Sequence, residues 1–167
     1  LPIVHKFYRN YFKDCYVCGD VDYIFGPNTA FFDHCEIHSI ARVSEGKAYI
    51  TAASTPAGQE FGLVFSHCRI TGEEPDSVYL GRPWRDCAKT AFICCELGDH
   101  ICPEGWQNWG KVRAEVLSDY IEYGNFGPGA DCSGRSPLSR CLVNPEVETY
   151  FSKENVLVGE DGWIPAE

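Results

Sequence analysis

The sequence predicts an all-β chain wound as a parallel β-helix, followed by a tail of loops and a short helix. Three observations carry this. Four segments repeat one local pattern: YFKDCYV (11–17), FFDHCEI (31–37), VFSHCRI (64–70) and FICCELG (92–98). They are short and rich in aromatic and β-branched residues, with Gly, Pro, Asn and Asp between them, as in GPNTA and TGEEPDS. No run alternates amphipathic helices as leucine-rich or ankyrin arrays do.

Each segment places a Phe, a Cys three residues later and an aliphatic residue two beyond that. The sets are Phe12, Cys15, Val17; Phe32, Cys35, Ile37; Phe65, Cys68, Ile70; and Phe92, Cys95, Leu97. The Cys-to-Cys steps are 20, 33 and 27 residues, within the range of solenoids, propellers and arrays. Cys and its aliphatic partner lie two apart, which predicts one shared strand face. Uneven steps with variable loops suit a β-helix, in which each coil sets the same inward residue on the coil below and the cysteines form a buried ladder. An ordinary β-sandwich with similar strands is the alternative.

The last third differs. In NPEVETYFSKENVL, Asn144 as N-cap, Pro145 at the first position and acids in the first turn predict a helix around 145–151. The closing GEDGWIP reads as loop. The expectation is one partial β-helix domain over 1–167, with coils over about 8–125 and a tail over about 126–167 that lies along the side or caps the open end.

Composition narrows the function. The 167 residues carry 14 Lys+Arg against 24 Asp+Glu, a formal charge of -10. That lacks the basic footprint of a nucleic-acid binder and repels strongly anionic partners. No apolar run approaches the ~20 residues of a membrane helix. No signal peptide is visible, and the chain contains no Met, so it reads as a fragment or a processed chain. Ten cysteines leave secretion with disulfides, cytosolic thiols and a metal site open. Cys15 and Cys18 form a CxxC without a second one, and the histidines His34, His38, His67 and His100 lack ligand-set spacing, which argues against a zinc site. Cys132 and Cys141 flank a Gly/Ser/Pro loop and could pair.

Two segments could carry chemistry. In GDVDYIFG (19–26), Asp20 and Asp22 lie two apart, on one face if the strand alternates. YLGRPWRD (79–86) offers Arg82, Trp84 and Arg85. An arginine beside a half-buried aspartate would balance its charge and fix its orientation, and a tryptophan would give a sugar ring a flat platform. A plain ion pair with plain packing is the competing reading.

GDVDYIFG followed by YLGRPW resembles the pair of signature motifs of the pectin methylesterases (pectinesterases). AYITAASTPAGQEFGLVFSHCRITG, FICCELGDHICPEGWQNWG, EYGNFGPGA and NVLVGEDGWIP are similar to that family's other blocks, in order, from about Tyr8 to the end. The resemblance implies a right-handed parallel β-helix and a secreted, cell-wall carbohydrate esterase that acts on methyl-esterified homogalacturonan and needs no metal or organic cofactor. It implies Asp22 as the nucleophile, Arg82 as its hydrogen-bonding partner and Trp84 as a wall of the sugar groove, with Val21 and Phe25 as sugar contacts. Trp106 and Trp109 could extend that groove, but core packing is expected for each. The resemblance also implies a proton donor and oxyanion donors in a Gln-Asp-Thr segment about twenty residues before the nucleophile. Counting back from Asp22 reaches Leu1, and no Gln-Asp-Thr precedes Asp22. Activity of the chain is therefore in question. A pectin-binding β-helix without catalysis is the alternative, with His5, Asp14 and Asp20 as unsupported substitute acids, and a solenoid without ligand is a third reading. An open apolar first coil at Tyr11–Val17 is expected to drive self-association.

Overall fold

A computed structural model describes residues 8–166. The strands follow one another around coils. The first coil holds β1 (Arg9–Lys13), β2 (Tyr16–Gly19) and β3 (Val21–Gly26). The second holds β4 (Thr29–Asp33), β5 (Glu36–Ser39) and β6 (Ala48–Ala53). The third holds β7 (Leu63–Ser66), β8 (Arg69–Gly72) and β9 (Val78–Pro83). A fourth begins with β10 (Lys89–Ile93) and β11 (Glu96–Leu97). Next come α1 (Ala114–Leu117), β12 (Asp119–Tyr123), β13 (Ser139–Leu142), α2 (Glu146–Tyr150) and α3 (Lys153–Leu157).

Strands of successive coils pair in parallel and form three sheets. The first runs β1-β4-β7-β10-β12-β13, the second β11-β8-β5-β2 and the third β3-β6-β9. This is the parallel β-helix that the repeats predicted. Among the described residues, β1, β2 and β3 are edge strands at one end of the stack, where Phe12 is 37% exposed. No described helix is long and apolar enough to cross a membrane.

The repeat residues become ladders because the register holds from coil to coil. Phe12 pairs with Phe32, Phe32 with Phe65, and Phe65 with Phe92. Their rings stack at 4.7, 4.6 and 4.5 Å between centroids. Val17, Ile37, Ile70 and Leu97 form a second column. Cys35, Cys68 and Cys95 are buried as a third. A hydrogen bond with the Cys68 thiol, together with burial, pushes the Cys35 thiol up, which keeps it neutral in the core.

One expectation is corrected. The Phe–Cys–aliphatic pattern does not lie on a single strand: Phe32 lies near the end of β4, Cys35 follows a bend and Ile37 belongs to β5 in another sheet. The bend is made by a residue in the left-handed region, at Asp14 (φ 52), His34 (φ 51), His67 (φ 53) and Cys94 (φ 53). The reversal of φ turns the chain through a corner, so Phe32 before it and Cys35 after it both face the inner core.

The tail both covers and caps. Val147 of α2 with Val156 and Leu157 of α3 pack on Phe31, Val64, Ala91, Ile93 and Ile121, the outer face of the first sheet. This explains why β4 and β10 are apolar on both faces. The helix expected at 145–151 is present as α2, with Asn144 Oδ1 accepting from the Glu146 N–H at 3.0 Å. The following α3 was not foreseen; Ser152 caps it.

At the other end the phenylalanine ladder stops, because Phe92 pairs with Glu122. Glu122 is 2% exposed. Arg135 binds it through Nε and a terminal nitrogen at 2.9 and 3.0 Å, and Trp106 Nε1 donates to it at 2.9 Å. The loop that brings Arg135 is closed by a Cys132–Cys141 disulfide, the pairing considered from the sequence. Trp106 is core, as expected, and stacks on Tyr120 at 4.2 Å.

His100 is 1% exposed, and neither ring nitrogen has a hydrogen-bond partner among the described residues. Its ring fills the space over Gly72, where a Cβ would fall 2.5 Å from it. Burial pushes its pKa down to about 4 from 6.5. As pH falls, the unfolded chain takes up this proton before the folded one. The stability that His100 contributes is therefore complete above pH 6.5 and lost as pH falls through 4. Urea unfolding should lose about 2 kcal/mol between pH 7 and pH 4.5 from this residue. The loss should shrink in His100→Gln; an unchanged pH dependence in that variant would contradict the assignment.

Candidate active site

The third sheet carries the candidate residues. Ala52 of β6 pairs with Phe25 of β3 on one side and Arg82 of β9 on the other. Its short side chain is buried and leaves room above the strand. Arg82 reaches across to Asp22, donating from Nε to Oδ1 at 2.9 Å and from a terminal nitrogen to Oδ2 at 2.6 Å. This two-pronged contact fixes the plane of the carboxylate. The pair is 60 residues apart in sequence, and the two side chains retain 17% and 23% exposure.

Asp22 does not follow strand alternation. Its φ is 51°, and the pairing of β3 with β6 shifts between Val21 and Ile24. This bulge turns Asp22 toward Arg82 and separates it from Asp20. Asp20 lies outside β3 and faces Arg42 at 3.5 Å. The two aspartates therefore do not share a regular strand face, which corrects the expectation from their spacing. A non-glycine residue held at positive φ is uncommon and recurs at functional sites.

Arg82 is itself gripped. Its guanidinium lies 3.8 Å from the Tyr49 ring centroid and 3.7 Å from that of Trp109. Two aromatic faces hold the cation by electrostatic attraction and flat packing. Trp109 is 38% exposed, so it is not the core residue expected. Its place rests on a local turn in which its N–H donates to Gln107 Oε1 at 2.6 Å. Lys111 then ties this turn to the Trp84 loop, donating to the carbonyls of Pro83 and Trp84 at 2.8 and 2.6 Å. Gly81 has no substitute in β9, because a Cβ there would sit 2.1 Å from Thr51 Oγ1.

The remaining sequence candidates surround the pair. Trp84 is 39% exposed and meets Phe25, 62% exposed, edge to face at 5.7 Å. Val21 is partly buried against the main core. A groove continues past Trp84 along Ser54, Thr55, Arg85, Asp86 and Lys111. Asp14 stands at the β1–β2 corner, in the left-handed region. His5 lies outside the described residues. Among the described residues, the hydrogen bonds to the Asp22 carboxylate come from Arg82 alone. An exposed aromatic surface around an oriented carboxylate suits a neutral or weakly charged sugar chain.

The sequence profile described as Pectinesterase matches residues 3–160. The chain belongs to the pectinesterase family. It is 40% identical over 140 residues to Pectinesterase 31 of Arabidopsis thaliana, covering 83% of this chain and 43% of that protein. Putative pectinesterase 11 of the same plant is 33% identical over 157 residues, covering 93% of this chain and 43% of that protein. Among solved structures, the pectin methylesterase from carrot superposes with a TM-score of 0.82 at 30% identity, covering 93% of this chain and 52% of that one. A pectin methylesterase in complex with a hexasaccharide gives a TM-score of 0.74 at 27% identity, covering 94% and 53%. The chain thus spans less than half the length of these curated pectinesterases and about half of these solved ones. The parallel β-helix is shared with them.

Proposed function

We propose that the Asp22–Arg82 groove hydrolyses methyl esters of galacturonate units in pectin, releasing methanol and leaving a demethylated polymer. The observation that carries this reading is the two-pronged Asp22–Arg82 contact within an exposed aromatic groove of a pectinesterase-family chain. Asp22 attacks the ester carbonyl carbon and forms a tetrahedral intermediate. Its collapse breaks the bond to the methoxy oxygen, which leaves as methanol after taking a proton. The acyl group stays on Asp22 as an anhydride, and water then attacks to release the galacturonate carboxylate and restore Asp22. Arg82 orients the nucleophile, while Trp84 and Phe25 hold the sugar, with Val21 shaping the groove floor.

Two steps need further groups: an acid for the methoxide, and a donor for the oxyanion, whose loss typically costs ~10²–10³ in rate. No described residue is assigned to either task. The second reading is a pectin-binding β-helix without catalysis. The plant relatives and the disulfide support a cell-wall location.

The test is methanol release from highly methyl-esterified pectin by this chain and by Asp22→Ala. Release that vanishes in the variant supports hydrolysis at Asp22. Equal release by both refutes it, and binding without release by the folded chain selects the second reading. At a net charge of -10, the chain should bind methyl-esterified polymer better than polygalacturonate, and salt should narrow the gap. Polygalacturonate binding that does not improve with salt would contradict this preference.

A further inference from the structure

The left-handed corner between the first and second sheets stacks side chains as regularly as the core does, but toward solvent. Ser66 pairs with Ile93, so the next residues, His67 and Cys94, are neighbours on adjacent coils, both at φ 53°. Glu148 is brought over them by α2. The ligand atoms of His67, Cys94 and Glu148 all lie within 4.8 Å of one another. The His67 Nε2 to Glu148 carboxylate distance is 3.7 Å.

Three neighbours prepare this corner. Ser66 Oγ engages His67 Nδ1 at 2.9 Å, which directs Nε2 toward Glu148 and Cys94. The His34 ring stacks on that of His67 at 5.2 Å and 9°, and His34 is anchored by Asp33 at 2.6 Å. Gly124, next in the column, leaves the thiol uncovered, since a Cβ there would come within 3.0 Å of Cys94 Sγ. Burial and the nearby Glu148 charge push the Cys94 thiol up, a bias that a bound cation would reverse. The other cluster of this kind, Glu122 with Cys132 and Cys141, is already committed to an ion pair and a disulfide.

We propose that His67, Cys94 and Glu148 form a binding site for a divalent transition-metal ion of the zinc class. An imidazole, a thiolate and a carboxylate match zinc and cobalt(II), not calcium or magnesium, which take oxygen ligands. Water completes a tetrahedron. Bond lengths of about 2.0–2.3 Å place ligand atoms roughly 3.5 Å apart, so small rotamer changes of these surface side chains close the site. Second-shell contacts such as Ser66–His67 are what hold a ligating imidazole in orientation. The bound ion would pin α2, and with it the tail, to the third and fourth coils. Sequence spacing hid the set because its members come from two coils and a helix.

The test uses the full chain with cobalt(II) as the probe, under reducing conditions that spare the disulfide. The expected result is a thiolate-to-cobalt charge-transfer band saturating at one ion per chain. Zinc should displace the cobalt and raise the melting temperature. Cys94→Ser should abolish the band, while Cys18→Ser, at an exposed thiol elsewhere, should retain it. Glu148→Gln, on an exposed helix face, should keep the fold and weaken zinc binding by about tenfold or more. No band at saturating cobalt, a band that survives Cys94→Ser, or unchanged zinc affinity in Glu148→Gln would overturn the site.

Discussion

Under the proposed hydrolysis, Arg82→Lys should lower methanol release from methyl-esterified pectin by about a hundredfold, with little change in fold. Lysine keeps the charge but not the planar fork, so it meets one carboxylate oxygen where arginine meets both. The contact geometry at 2.9 and 2.6 Å fixes the plane of the Asp22 carboxylate, and with it the direction of the proposed attack. Misplacing a reacting group by about 1 Å costs ~10² in rate. Lysine also loses the flat packing between Tyr49 and Trp109. Arg82→Ala should be lower still. The loss should fall on kcat more than on KM, because Arg82 touches the proposed nucleophile and not the proposed sugar platform of Trp84 and Phe25. Wild-type kcat in Arg82→Lys would show that orientation by the fork is not used.

Arg135→Ala should destabilise the chain by about 3–5 kcal/mol, because it strips the partner from a buried carboxylate. Glu122 and Arg135 keep only 2% and 4% side-chain exposure. Arg135 also donates to the carbonyls of Gly129 and Pro103 at 2.6 and 3.0 Å, so its loss frees several acceptors at once. Trp106 remains bound to Glu122 but does not carry a countercharge. Urea unfolding of Arg135→Ala reads the effect. Pairing it with Glu122→Leu in a double variant should recover most of the loss, since an apolar replacement of both partners removes the stranded charge. A loss below 1 kcal/mol in the single variant would mean that water solvates Glu122 in the native state.

The sequence was most legible where one residue type repeats at one position. The Phe12-Phe32-Phe65-Phe92 column could be read because parallel pairing keeps register over many coils. The corners were not legible. Asp14, His34 and His67 are residue types enriched at positive φ, but the preference is too weak to mark a corner within an apolar segment, so two strands and a bend looked like one strand. The same effect misplaced Asp20 relative to Asp22, where a bulge cancels alternation. Asp22, Arg82 and Trp84 were singled out through their motifs, and the structure brings Asp22 and Arg82 into contact. The Trp109 and Tyr49 faces on Arg82 were missed because their partner lies in a different coil. Glu122–Arg135 was invisible for another reason. A buried acid reads as a surface acid until the residue that pairs with it is placed in space. The short helix α3 carried an N-cap serine at 152, a signal that was available and could have found it.

The most direct measurement is a crystal structure of Asp22→Ala soaked with a methyl-esterified hexagalacturonate. The account predicts a sugar lying along Trp84 and Phe25, with one ester carbonyl carbon over the position vacated by the Asp22 carboxylate and Arg82 still held between Tyr49 and Trp109. A saccharide bound away from this groove, or a well-diffracting crystal with no saccharide at high ligand concentration, would contradict it.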